Sequence, residues 1–140
     1  MKHRESEQTQ LRVSRLLNRD SVMLHAEMPS VQTALETLVE LQESNGVITN
    51  GTAYYKAVCE RERAGGTTAI GEGLAIPHAC NAGVASLGLA ALTLTRGLDW
   101  GAADGKLVDM IFMVAVPPDR QSDHLLIFCL LYTSPSPRDA

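Results

Sequence analysis

The sequence predicts an α/β fold: a mixed β-sheet sandwiched by helices on both faces. Three observations predict it. Stretches with helical periodicity come first, short apolar stretches of strand character follow, and one more helix start closes the pattern. The longest apolar stretch, residues 107–116, is apolar at every position except Asp109, as in a central strand covered on both sides. Gly and Asn pairs punctuate the boundaries between stretches. Helices, then strands, then a helix pack most simply as layers about one sheet. The 140 residues fit one domain with a real core, and there is no internal repeat.

Residues 1–12 are polar, and the domain is expected to span 13–131. A short helix is expected up to about residue 20, with Leu11, Leu16 and Leu17 among charged neighbours. In SVMLHAEM, Val22, Leu24 and Ala26 alternate with Met23, His25 and Glu27, the mark of a half-covered strand. Pro29 stops it and Ser30 can cap a helix. That helix carries Val31, Ala34, Leu35, Leu38 and Val39 on one face and Gln32, Glu36, Glu40 and Gln42 on the other. Asn45-Gly46 and Asn50-Gly51 read as turns. A second helix is predicted over 53–63, with Tyr54, Ala57 and Val58 inward and Gly65-Gly66 at its end. Strands are predicted at 74–76, 87–94, 98–100 and 107–116, and Ser122 or Asp123 caps a last helix over 124–131. The composition changes sharply after residue 131. With Pro135 and Pro137, residues 132–140 read as a non-native tail, so the domain is expected to lack its final helices.

Twelve Lys and Arg against sixteen Asp and Glu give a formal charge of −4, with no basic cluster. This argues against nucleic acid and anionic membrane surfaces as partners. The polar start MKHRESEQTQ lacks the apolar segment of a secretory signal, and the run 110–118 is too short to span a bilayer. Cys59, Cys80 and Cys129, odd in number and widely spaced, suit reduced thiols and a cytoplasmic location.

The chemistry is expected in TTAIGEGLAIPHAC, residues 67–80. Pro77 lacks an N–H and keeps Ile76 extended, so His78 is expected beyond the strand end in a loop. A neutral imidazole, with an ordinary pKa of about 6.5, can attack phosphorus. It needs a partner on its other ring nitrogen and donors around the phosphoryl oxygens. Thr67 and Thr68 can offer hydroxyls, and Arg61 or Arg63 a guanidinium. Gly71 and Gly73 either bring backbone N–H groups to an anion or make a plain turn. His124 falls in the first turn of the last helix, where N–H groups and the helix dipole favour anions. Each feature also has a bland reading: a loop histidine, a helix-start histidine, a solvated arginine face. His78 and Cys80 lack the further ligand pair of a structural zinc, so no metal is expected. Cys80 lacks the activating base of a nucleophile. Without secretion, Asn50-Gly51-Thr52 is a turn rather than a glycosylation acceptor. His3 belongs to a polar terminus and His25 to a solvent-facing strand position.

Taken together, these segments resemble a known family. IGEGLAIPHA is similar to the active-site signature of fructose/mannitol-type enzyme IIA domains (EIIA type 2) of the bacterial phosphoenolpyruvate-dependent sugar phosphotransferase system. ALETLVELQESNGVITN resembles their first long helix, AYYKAVCERERAGGTT the helix entering the site, and GLDWGAADGKLVDMIFMVAVPPDRQSDHLLIF the segment of the second histidine. The resemblance covers about residues 13–131. It implies that His78 accepts phosphate from the histidine-containing phosphocarrier protein and passes it to a cysteine of an enzyme IIB partner, which can be fused with a membrane IIC domain in a longer gene. It implies that His124 and Thr68 help hold the phosphate, together with an arginine. ERERAGGTT is shifted by one residue against the family pattern, which leaves Arg61 and Arg63 both candidates. It implies no metal or organic cofactor, and an apolar docking patch from Leu74, Ile76 and Ala79. Sugar uptake of the fructose class is the expected role. A regulatory, nitrogen-type enzyme IIA module is the alternative, and a scaffold without phosphate chemistry is the third reading.

Overall fold

The computed structural model describes residues 17, 19–64 and 68–120. Thr67, Gly65-Gly66, His124 with its expected helix and caps, Cys129, His3 and the tail 132–140 lie outside the described residues. Of the short helix expected before residue 20, only Leu17, Arg19 and Asp20 are described, the latter two in the 3-10 turn Arg19–Ser21.

The elements run β1 (Val22–Ala26), α1 (Val31–Ser44), α2 (Gly51–Ala64), β2 (Ala69–Gly71), β3 (Leu74–Ala75), β4 (His78–Cys80), β5 (Gly88–Leu98) and β6 (Val108–Val116). Helix α1 forms where its period and cap predict. Ser30 is extended, and its hydroxyl accepts the Thr33 N–H at 3.2 Å. Helix α2 starts two residues before its predicted onset. The Asn50 side chain accepts the Ala53 N–H at 3.1 Å, so the expected turn asparagine is a cap.

Among the described residues, six strands form one mixed sheet in the order β1-β5-β6-β3-β2, with β4 also pairing β6. Strands β5 and β6 are antiparallel, as are β2 and β3, while β1 runs parallel to β5, and β3 and β4 run parallel to β6. The expected α/β mixed sheet is therefore present. Strand β6 is its central strand, alternating Ile111, Met113 and Ala115 toward one face with Phe112, Val114 and Val116 toward the other. On the first face, α1 and α2 bury Leu35, Leu38, Tyr54 and Val58 against Ala90, Leu92 and the β6 residues. Full burial of Leu38 alone removes enough apolar area to contribute about 1.5–3 kcal/mol. Both described helices lie on this face. The second face gathers Ile76, Leu87, Leu89, Ala91 and Phe112, with Leu17, Val22, Ile70, Leu74 and Met110 packed against them.

Three local predictions differ from the structure. The alternation read in β1 puts Leu24 with Val22 on a covered face, yet Leu24 is 62% exposed. The pairing with β5 slips between Met23 and Ala26, and His25 takes a positive φ of 55°. This irregularity turns the later residues over: Val22 packs with the second face, Ala26 with the first. The strand predicted at 98–100 is the end of β5. Trp100 lies beyond it, 7% exposed. Strand β2, three residues long, is too short for sequence periodicity to reveal. Gly88 starts β5 where no side chain fits, because an added Cβ would lie 2.4 Å from Val47 Cγ1 and 2.5 Å from Gln42 Oε1.

Candidate functional site

His78 is not in a loop. It opens β4 and pairs with Val114 of β6 in parallel register. Pro77 removes one N–H from the ladder, which separates β3 from β4. Its carbonyl still accepts the Val114 N–H at 3.0 Å, so the chain stays on the sheet. Because paired residues share a side, the half-buried imidazole leaves the sheet on the Val114 side, the second face.

A backbone hydrogen bond fixes the tautomer of the neutral ring. His78 Nδ1 lies 2.9 Å from the Ile76 carbonyl oxygen. That oxygen can only accept, so in the neutral ring the proton sits on Nδ1 and the lone pair on Nε2. The basic nitrogen of that neutral ring is therefore Nε2.

Tyr54 fixes the strands beneath the histidine. Its hydroxyl, wholly buried, donates to the Val114 carbonyl at 2.7 Å. Burial pushes the Tyr54 hydroxyl far above its ordinary pKa, with a hydrogen bond from the Ala79 backbone working against it. It therefore remains a neutral donor throughout the working pH range. Val114 is the register partner of His78, and Ala79 follows His78 in the chain. The hydroxyl thus ties together the two strands at the position of the imidazole. Sequence periodicity placed Tyr54 inward, but an apolar stripe gives no sign of what its polar tip reaches.

Thr68 lies at the entry to β2, 4% exposed. Its carbonyl accepts the Ile76 N–H at 3.1 Å, which places it beside the residue that holds the imidazole. Its hydroxyl and its N–H both donate to the Glu62 carboxylate. Arg61 and Arg63 project from the last turn of α2, both exposed, where their charge complements the helix dipole. Arg63 lines a cleft of about 320 Å³ with Val31, Leu35, Tyr55 and Trp100. The structure thus brings Thr68 to His78 through Ile76, and leaves the arginines on a helix packed against the opposite face. His124 and Thr67 lie outside the described residues. Of the expected docking patch, Leu74 and Ala79 are partly exposed, but Ile76 is fully buried and contributes core instead.

The glycines form a turn rather than an anion cradle. Gly71, Glu72 and Gly73 all have positive φ, at 102°, 56° and 78°, and link β2 to β3. The Glu72 N–H is taken by Asp104 Oδ2 at 2.8 Å, and Asp104 Oδ1 accepts the Lys106 N–H at 3.0 Å. Lys106 also pairs with the Glu72 carboxylate at 2.9 Å. The bond from the Glu72 backbone, then that from Lys106, holds the Asp104 carboxyl below its ordinary pKa. A group with a depressed folded pKa contributes stability above its unfolded pKa, and this is lost as pH falls through the folded one. The Glu72 amide NMR signal is therefore expected to shift as acid is added below about pH 4. In Asp104→Asn that acid-side movement should vanish. An unchanged titration in the variant would mean that Asp104 does not brace the turn.

The fold and site define a class first: an α/β domain that presents a tautomer-fixed histidine at a proline-broken strand beside the central strand. This chain belongs to the family described as "Phosphoenolpyruvate-dependent sugar phosphotransferase system, EIIA 2", whose model it matches over residues 15–133. EIIA domains of this family are phosphotransfer components that relay phosphate to an EIIB domain. The chain is 32% identical over 125 residues to the 2-O-alpha-mannosyl-D-glycerate-specific EIIABC component of Escherichia coli K12, covering 88% of this chain and 19% of that protein. It is 35% identical over 101 residues to the fructose-specific EIIA component of Haloferax volcanii, covering 72% and 65%. It thus spans about a fifth of the length of the first of these relatives and just under two thirds of the second. Among solved structures it is similar to nitrogen regulatory protein IIA-Ntr from Neisseria meningitidis, with TM-score 0.81, 27% identity and coverage of 91% and 88%. It shares its fold, at TM-score 0.70, 18% identity and coverage of 84% and 81%, with enzyme IIAMtl in its complex with phosphorylated enzyme IIBMtl from Escherichia coli. No helix among the described residues is long and apolar enough to cross a membrane.

Proposed function

We propose that this chain is a cytoplasmic phosphoryl-relay component of a sugar phosphotransferase system of the fructose class, carrying phosphate on Nε2 of His78. The observation that carries the reading is the bond from Nδ1–H to the Ile76 carbonyl. The Nε2 lone pair attacks the phosphorus of a phosphohistidine on the phosphocarrier protein. A new P–N bond forms, the donor's P–N bond breaks, and its electron pair returns to the donor imidazole. Since Nδ1 keeps its proton, the phosphorylated ring takes on positive charge, and the Ile76 carbonyl dipole stabilises it. That charge also makes the ring a good leaving group when an enzyme IIB cysteine thiolate attacks in turn.

Phosphoryl transfer is mostly positioning and charge neutralisation. In this reading His124 contacts the phosphoryl oxygens, while Thr68, kept on Glu62, acts through the Ile76 carbonyl. Arg61 and Arg63 stay at the exposed end of α2. The similarity to fructose-specific EIIA supports the sugar class. The similarity to IIA-Ntr favours a second reading, a regulatory module that signals by its phosphorylation state.

Incubation with phosphoenolpyruvate, enzyme I and the phosphocarrier protein tests the proposal. An acid-labile, base-stable phosphate should form, and a fructose-class enzyme IIB should then remove it. Phosphate that forms but passes to no enzyme IIB selects the regulatory reading. Absence of phosphate ends both.

A further inference from the structure

Glu62 lies two residues before the end of α2, in the charged run ERER, where the sequence suggests a solvated face. The structure turns it inward. Its carboxylate accepts three donors: the Thr68 hydroxyl, the Thr68 N–H at 3.2 Å, and the Trp100 indole N–H at 3.4 Å. Thr68 and Trp100 are 4% and 7% exposed.

From Thr68 the bonding continues toward the histidine. The Thr68 carbonyl accepts the Ile76 N–H at 3.1 Å, and the Ile76 carbonyl accepts His78 Nδ1–H at 2.9 Å. Donors and acceptors alternate along the path. Thr68 and Ile76 each give their N–H to one neighbour and offer their carbonyl, which belongs to the following peptide unit, to the next, so the bonds are linked through the placement of the two residues. On its far side Ile76 is anchored by the Val114 N–H at the Pro77 carbonyl, and on its near side by the Thr68 carbonyl. The bond to Thr68 is thus one of the two holds that set the orientation of the Ile76 carbonyl.

We infer that Glu62 is a positioning residue for His78: by fixing Thr68 it orients the Ile76 carbonyl that keeps the proton on Nδ1 and the lone pair on Nε2. This rests on the reading of His78 as the phosphate carrier, and it adds a role that the charged helix tail does not advertise. A carboxylate suits the task better than an amide. Glutamate presents two acceptor oxygens to two donors of one residue, whereas glutamine replaces one acceptor with a donor.

The test uses the full chain with 15N-labelled histidine, comparing wild type with Glu62→Gln, Thr68→Val and Thr68→Ser. The wild-type His78 ring should show the Nδ1–H tautomer. Glu62→Gln and Thr68→Val should shift it toward a mixture, and Thr68→Ser, which keeps the hydroxyl, should not. Initial phosphorylation by the phosphocarrier protein should slow by roughly tenfold or more in Glu62→Gln, since small misplacements of a reacting group cost rate on that scale. The KM for the donor should stay unchanged. A staple that merely stabilises the fold would lower the melting temperature without moving the ring tautomer at temperatures where the chain is folded. An unchanged tautomer in folded Glu62→Gln and Thr68→Val overturns the inference. If the wild type itself takes no phosphate, the relay reading fails, while the tautomer comparison still decides the role of Glu62.

Discussion

His78→Ala is expected to leave a folded chain that takes up no phosphate, where the wild type takes about one per chain. The imidazole supplies the attacking lone pair, and the described residues around it offer no equivalent. Cys80 is the nearest other nucleophile by sequence, two residues along on the same face of the strand. It is exposed, and its thiol is turned to the Pro117 carbonyl at 3.6 Å. The fold should tolerate the change because the ring is only half-buried and its bond to Ile76 is local. A loss within about 1 kcal/mol is expected. Mass spectrometry after incubation with the phosphate donors reads the first expectation and thermal melting the second. Phosphate retained in His78→Ala would move the acceptor to another residue.

The second large effect concerns Tyr54. Tyr54→Ala is expected to cost about 3–5 kcal/mol, the range for emptying a buried aromatic site. The site is fully buried between α2 and the sheet, with Val58, Met113 and Ala115 in the same core. The truncation also removes the hydroxyl bond to the Val114 carbonyl at 2.7 Å. Tyr54→Phe separates the two contributions. It keeps the ring and removes only the hydroxyl, so it should cost about 0.5–1.5 kcal/mol, the net worth of a buried hydrogen bond. The damage should be local to the strands that hold His78. Amide exchange in Tyr54→Phe should speed up at Ala79 and Val114 before it does in α1. If Tyr54→Phe melts like the wild type, the hydroxyl does not pin these strands.

How far the sequence carried depends on the range of the interactions involved. Helix α1 was legible because its cap, Ser30, and its apolar period, from Ala34 to Val39, both act within a few residues. The central strand was legible because a strand buried on both faces has a continuous apolar run, broken here only at Asp109. The strand expected at β1 is present, but the facing read from its alternation failed for a reason local to the sheet edge. The irregularity at His25 reverses the alternation, and nothing in VMLHA marks it. Pro77 was read as the end of a strand, and locally it is. What the chain does next is set by the Val114 N–H, which reaches back to the Pro77 carbonyl from a distant strand.

The site divides in the same way. His78 stood out by its motif, because Ile-Pro-His after two glycines is a local pattern. Its working tautomer depends on a side-chain rotamer that the letters do not encode. Asp104 reaches the glycine turn across 32 residues of sequence, and no spacing rule points to it. Glu62 was hidden more thoroughly, since a charged helix tail ordinarily faces water and this carboxylate faces Thr68 and Trp100. Tyr54 lay within the predicted inner face, but only the folded sheet shows that its hydroxyl meets the strand pair carrying the histidine.

The most direct measurement is 31P–15N correlation NMR on the phosphorylated chain labelled with 15N-histidine. The phosphate should couple to Nε2 of His78, with Nδ1 still protonated and bonded to a carbonyl. Coupling to Nδ1, or to a histidine at any other position, would contradict the account, because the Ile76 carbonyl would then have no part in choosing the nucleophile.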